Sequence, residues 1–291
     1  MSTAAAQVPP DIAAALRRIG PIVDVANTRP LYEPLFAAQR EPYPNVTVAR
    51  DVSYSADPLN TFDIFAPQSA PKVPRTVVFY LHGGGFERGD KRMPGSPFYD
   101  NLMLWLAQHG MVGVNMNYRL APKHTWPAAE EDMAAAVGWV QAHIAQFGGN
   151  PDRIVLWGES AGACLIAGYL VDPQFHGPRG HGVTGAVLNS GIYELLRPHP
   201  YFASELAQTR SRSRIASMAA LTIPLFVSCT EIDLPAAISQ AEKVSAARRA
   251  AGHPSTYAMF SDHSHISQNY SIGTADTSVS APILEFIREL E

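Results

Sequence analysis

Arg153-Ile154-Val155-Leu156-Trp157-Gly158-Glu159-Ser160-Ala161-Gly162 is an apolar strand pattern that runs into a G-x-S-x-G turn, and Ala163 to Val171 leaves it as a helix. In so sharp a turn the central serine takes a strained backbone conformation, and the positions two before and two after it must be very small. Gly158 and Gly162 meet that demand, and Ala161 keeps the next position small. The geometry exposes the Ser160 hydroxyl at the C-terminal edge of a sheet and at a helix N-terminus, where free N–H groups favour negative charge. Ser160 is therefore the candidate nucleophile. The five-residue motif recurs by chance, so the strand before it and the helix after it carry the weight.

The chain has 291 residues, 46% apolar and 16% charged, which describes an ordinary globular protein large enough for one large α/β domain or two small ones. A formal charge of -4 leaves no electrostatic footprint for nucleic acid and no basic patch for a membrane. Cys164 and Cys229 fall in a predicted helix and a predicted strand and read as buried, reduced thiols. Met1 to Gly20 lacks a basic segment followed by an apolar one, and no run reaches about 18 apolar residues. The expected location is cytoplasmic.

Outward from the elbow, strands and helices alternate. Residues 1–45 are rich in Ala and Pro, with short helices at Asp11–Ile19 and near Leu31–Ala38, and read as an arm that wraps a body and contributes to a lid. Val46–Tyr54 and Thr61–Phe65 are predicted strands, expected to be antiparallel, and Thr76–Leu81 is a continuous apolar run suited to a strand buried on both faces. Helix Phe98–His109, strand Met111–Tyr118 and helix Ala128–Phe147 lead to the elbow. Strands Val183–Leu188, Ile223–Cys229 and Ser255–Phe260 and helices Pro235–Ala251 and Val279–Leu290 follow. This is an α/β fold: one domain over 46–291 around a mostly parallel eight-stranded sheet with helices on both faces. The stretch 192–221 lacks a strand and reads as a small lid over the strands' C-terminal edge.

Directly after the third strand stands His82-Gly83-Gly84-Gly85-Phe86. Glycines let the backbone approach a substrate closely and aim N–H groups at an oxygen on which negative charge develops. Gly83, Gly84 and Ala161 are the candidate oxyanion-hole donors, and His82 reads as a residue that fixes the loop. A phosphate cradle is excluded because Asp90 stands where a P-loop carries lysine.

His82-Gly83-Gly84-Gly85, Tyr118-Arg119-Leu120-Ala121-Pro122 and Gly158-Glu159-Ser160-Ala161-Gly162, with Phe147 to Arg153 before the elbow strand, resemble the hormone-sensitive-lipase-like branch of the α/β-hydrolase carboxylesterases. The resemblance runs from about residue 75 to the C-terminus. It implies an α/β-hydrolase fold and a serine ester hydrolase without cofactor or metal. Glu159 departs from the aspartate often found there, a change expected to leave the chemistry unaltered, and the short lid leaves the size of the substrate open.

In this fold the acid follows the nucleophile and the histidine comes last. Thr230-Glu231-Ile232-Asp233-Leu234 lies at the end of a predicted strand, and Asp233 resembles the family's acid, with Glu231 as runner-up. Asp262-His263-Ser264-His265-Ile266-Ser267 offers two bases, expected to point apart so that one of them serves. His265 is favoured because relatives follow the histidine with an apolar residue and a helical start. The predicted triad is Ser160, Asp233 and His265. A metal site on Asp262, His263 and His265 lacks further ligands. Arg210, Arg212 and Arg214 alternate with Thr209, Ser211 and Ser213 and read as a solvated face, with attraction of an anionic substrate as the alternative.

The expected activity is hydrolysis of short-chain or small aromatic esters through an acyl-enzyme, with a pH limb near the ordinary histidine value of about 6.5. An amidase or formamidase with the same triad, or a non-catalytic ligand-binding protein of this fold, are the alternatives. Ser255–Phe260 and Val279–Leu290 offer a surface for a homodimer by fold analogy alone.

Overall fold

The computed structural model describes residues 7–195, 198–205, 208, 214–253 and 255–291. Eight strands form one sheet: β1 (Val46–Ser53), β2 (Thr61–Pro67), β3 (Arg75–Leu81), β4 (Val112–Met116), β5 (Gly149–Glu159), β6 (Gly185–Asn189), β7 (Leu225–Ile232) and β8 (Thr256–Ser264). Their spatial order is β1-β2-β4-β3-β5-β6-β7-β8. The β1–β2 and β2–β4 pairs are antiparallel and the rest parallel. From β3 the chain moves one way to β4, then returns past β3 to β5 and continues outward. Loops after β3 and β5 therefore diverge from adjacent strands, and a crevice opens at that reversal.

β3 shows why the sheet is buried on both sides. Val77, Phe79 and Leu81 enter one core with the strands' Phe62, Ile64 and Leu156. Val78 and Tyr80 enter the other with Val155 and Trp157. From Val77 to Leu81 every side chain is buried, so neither face of the strand tolerates water, and both must be covered by helices. The first face carries α4 (Ala128–His143), α5 (Ala161–Val171), α6 (Arg214–Ala219) and α7 (Pro235–Ala250). The second carries α1 (Pro10–Ile19), α3 (Asp100–Gln108) and α9 (Ser280–Glu289).

The arm follows the same logic. Ile12, Ala13 and Leu16 recur at helical spacing and bury the inner side of α1, which packs against β8. The short helix α2 (Val25–Tyr32) is capped by Asp24, whose carboxylate accepts from Asn27 N at 3.0 Å. Tyr32 then meets Tyr270 of the one-turn helix α8 (Ser267–Tyr270), ring centroids 6.3 Å apart. Within 192–221 the described residues form a 3₁₀ turn at Pro200–Phe202 and α6, whose Ile215 and Met218 belong to the first core. The predicted strand boundaries move by a few residues at most ends, the largest being the start of β5, at Gly149, and the end of β8, at Ser264. No helix among the described residues is long and apolar enough to cross a membrane.

Candidate active site

β5 ends at Glu159, α5 begins at Ala161, and Ser160 between them has φ 54° and ψ -118°. A non-glycine residue rarely adopts such a conformation, and it persists only where its surroundings enforce it. Ser160 N donates to Asn189 O at 2.9 Å, and Cys164 N donates to Ser160 O at 3.1 Å, which starts the helix. A Cβ on Gly162 would strike Leu81 O and lie 2.8 Å from His82 O. The elbow is thus pressed against the end of β3, where Leu81 pairs with Gly158.

That contact sets the His82–Phe86 loop beside the serine. A Cβ on Gly83 would lie 3.1 Å from Ser160 Cβ and would collide with the Glu159 carboxylate. His82 is buried, its Nδ1 2.6 Å from Gly83 O and its ring stacked on Tyr118 at 4.5 Å. Burial pushes the His82 imidazole below its ordinary pKa, which favours the neutral ring. Tyr118 Oη donates to His82 O at 2.8 Å and Ala121 N donates to Phe86 O at 2.9 Å. Residues 118–122 therefore support the loop from below.

Asp233 follows β7, and its carboxylate is closed in by donors. Oδ1 accepts from Leu234 N at 2.7 Å, and Oδ2 accepts from Thr230 N at 3.1 Å and from Ser190 Oγ at 2.5 Å. His265 Nδ1 lies 2.6 Å from Oδ1. Burial opposes ionisation of Asp233, but the contacts with His265, Ser190 and Thr230 outweigh it and lower the pKa. Gln268 Nε2 donates both to Ser190 Oγ at 2.7 Å and to His265 O at 2.8 Å, joining the acid's support to the base's backbone.

The other ring nitrogen shows what sequence reasoning missed. His265 Nε2 lies 3.1 Å from Glu159 Oε1, within ion-pair distance but off hydrogen-bond geometry, and no hydrogen bond joins it to Ser160 Oγ among the described residues. Burial disfavours the charged ring, yet Asp233 and Glu159 together overcome it and raise the His265 pKa to about 10. Glu159, expected to leave the chemistry unaltered, thus has its carboxylate beside the His265 ring. The one available signal was its position beside the nucleophile in the turn.

His263 is wholly buried, with Nδ1 3.0 Å from Ser267 Oγ and Nε2 3.0 Å from Ser278 Oγ and 3.2 Å from Asp276 Oδ2. Positions two apart in one strand share a face, so alternation does not separate the two histidines. The end of β8 at Ser264 does, since His265 lies beyond it in the turn to α8. Glu231 is far from this centre in role. Its carboxylate is partly exposed, pairs with Arg17 of α1 at 3.1 Å and accepts from Asp262 N at 2.8 Å.

The solvated face read for 209–214 fails at Arg214. That guanidinium is buried, 3.0 Å from Glu130 Oε1, and donates to Cys164 O at 2.9 Å. Arg210 and Arg212 lie outside the described residues. A cavity of about 560 Å³ bounded by Arg50, Asp51, Lys91, Arg92 and Phe98 includes none of Ser160, Asp233 and His265. Its charges pair with one another, Arg50 with Asp100 and Lys91 with Asp51, and make no demand for a ligand.

The strand order, the mostly parallel pairing and the helices on both faces define an α/β-hydrolase fold, and the solved structures agree. Esterase B from Lactobacillus rhamnosus superposes with a TM-score of 0.69 at 18% identity, over 96% of this chain and 95% of that one. An esterase from the bacterial hormone-sensitive lipase family gives 0.64 at 23%, over 96% and 97%. Residues 62–178 match the BD-FAE family. In sequence, the chain is similar to the Mycobacterium tuberculosis "Probable carboxylic ester hydrolase LipM", 38% identical over 127 residues, which is 42% of this chain and 28% of that protein. Esterase LipC of the same organism is 33% identical over 129 residues, 43% of this chain and 31% of that protein. The chain thus matches about a third of the length of these curated relatives.

Proposed function

We propose that the chain is a serine carboxylesterase acting on short-chain or small aromatic esters through Ser160, Asp233 and His265. The observation that carries this reading is the Asp233–His265 pair set beside a strained serine elbow and a glycine loop. The esterases among its sequence relatives support it. His265 Nε2 takes the Ser160 proton as Oγ attacks the ester carbonyl, and the N–H groups of Gly83, Gly84 and Ala161 receive the oxyanion. His265 then protonates the leaving alcohol, and water, activated by the same nitrogen, releases the acid from the acyl-enzyme. Asp233 keeps Nδ1 protonated and stabilises the imidazolium. Nε2 does this work only when it carries no proton and has left Glu159.

Within the same reading, 192–221 and the arm form the lid. Cytoplasmic residence is supported by two free, buried cysteines, Cys164 and Cys229. A homodimer through the edge strand β8 and α9 belongs to it as well, and light scattering tests it. The activity test is turnover of p-nitrophenyl acetate and of the matching anilide. Ser160→Ala is expected to lose roughly four to six orders of magnitude of ester turnover while remaining folded. Retention of a tenth of the activity removes Ser160 as nucleophile.

A further inference from the structure

We infer that the segment His199–Phe202 is a working part of the oxyanion loop, because its rings clamp Phe86 and so hold the backbone of Gly83 to Gly85 in place. This rests on the esterase reading. Phe86 has φ 63°, directly after Gly84 at φ 118° and Gly85 at φ 63°. Glycine accepts the left-handed region freely, but a bulky residue stays there only when its surroundings impose it. Those surroundings are aromatic. The Tyr201 ring lies nearly parallel to Phe86 at 5.0 Å and 8°. Phe202 meets it edge-on at 5.5 Å and His199 at 5.1 Å. Phe86 is left 5% exposed.

The clamp is itself fixed to the body. Trp126 N donates to Tyr201 O at 2.7 Å, and Tyr201 Oη accepts from Ala129 N at 3.1 Å while donating to the Glu130 carboxylate. Arg214 pairs with Glu130 and sits over the Phe202 ring at 5.1 Å. His199 Nδ1 accepts from Tyr201 N at 3.1 Å, which closes the turn. The loop is thus gripped from below by Tyr118 and Ala121 and from above by this box. Releasing Phe86 lets it relax toward an ordinary conformation and turns the preceding N–H groups away from the ester oxygen. Donors that are not held in advance lose most of their value in the transition state.

Tyr201 is a positioning residue on this account, and the test is Tyr201→Leu against Tyr201→Phe. With p-nitrophenyl acetate, Tyr201→Leu is expected to lower kcat about 10- to 100-fold with KM within about threefold, the signature of a lost transition-state interaction. Tyr201→Phe keeps the ring and is expected to recover most of that loss. Amide hydrogen exchange at residues 83–86 should rise in Tyr201→Leu and return in Tyr201→Phe. If Tyr201→Leu fails to fold, Phe202→Leu leaves the Glu130 anchor intact and is expected to show the same pattern. An unchanged kcat with unchanged exchange overturns the clamp, as does a loss confined to KM. If the unsubstituted chain shows no turnover but exchange at 83–86 still rises, the clamp stands and the esterase reading falls.

Discussion

At the scale of single residues, the unexpected feature is an imidazole held between two carboxylates. In the proposed mechanism Asp233 on Nδ1 is the partner the base needs, whereas Glu159 on Nε2 stabilises the protonated ring that cannot act as a base. On the proposed mechanism activity requires neutral His265, so kcat/KM should rise with pH through a limb displaced well above 6.5, toward about 10. Glu159→Gln removes one carboxylate and should move that limb back toward the ordinary histidine value of about 6.5. A pH profile of both proteins from 5 to about 10.5 measures it. An identical limb in the two means that Glu159 does not raise the pKa of His265.

Among the elements, the turn from β8 into α8 carries His265, the proposed base, and His263 is its internal strut. Its ring ties the strand to Ser267 on one side and to the Asp276–Ser278 turn on the other. His263→Ala leaves the Asp276 carboxylate buried without that partner, and such losses cost about 1–3 kcal/mol. The expected outcome is a lower urea midpoint with turnover reduced about tenfold or less, since imidazole chemistry stays with His265. A loss on the scale of Ser160→Ala would exchange the roles of the two histidines. The covering elements make a second prediction. Tyr201 and Phe202 pack onto the oxyanion loop, and Tyr32 and Phe36 fill the space against Tyr270 and Phe98. Rings committed to packing leave little room for a long acyl chain. Among p-nitrophenyl esters from acetate to decanoate, kcat/KM should peak at the short end, and a maximum at decanoate contradicts a compact site.

At the scale of the whole molecule, the buried titrating groups shape stability against pH. His265 has a raised pKa, so its contribution is fully present below about 6.5 and is lost as pH rises toward about 10. Asp233 and Asp276 have lowered values, so theirs is present above the ordinary carboxylate range and lost as pH falls through the folded values. Stability should therefore be greatest between those limits. Each unit of pKa difference corresponds to about 1.4 kcal/mol. Urea melts at pH 7 and pH 9.5 should show a lower midpoint at the higher pH, and Glu159→Gln should shrink the difference. Equal midpoints for the unsubstituted chain at both values argue against the clamped imidazolium.

Elements governed by local rules were legible in the chain itself. The elbow, the glycine loop and the alternation of strand and helix follow from backbone sterics and hydrophobic periodicity within a few residues, and so does the placing of Asp233 at a strand end. Partners joined across the fold were not. The order β4-β3-β5 sets the glycine loop against Ser160, and no periodicity records which strands become neighbours. Glu159 reads as an exchange of one acid for another until folding brings His265 to its carboxylate. Arg214 reads as a surface charge among serines, yet it is buried against Glu130, 84 residues away in the chain. A charge in sequence advertises solvent because an unpaired ion is costly to bury. Only the tertiary structure supplies the opposite charge that reverses that preference.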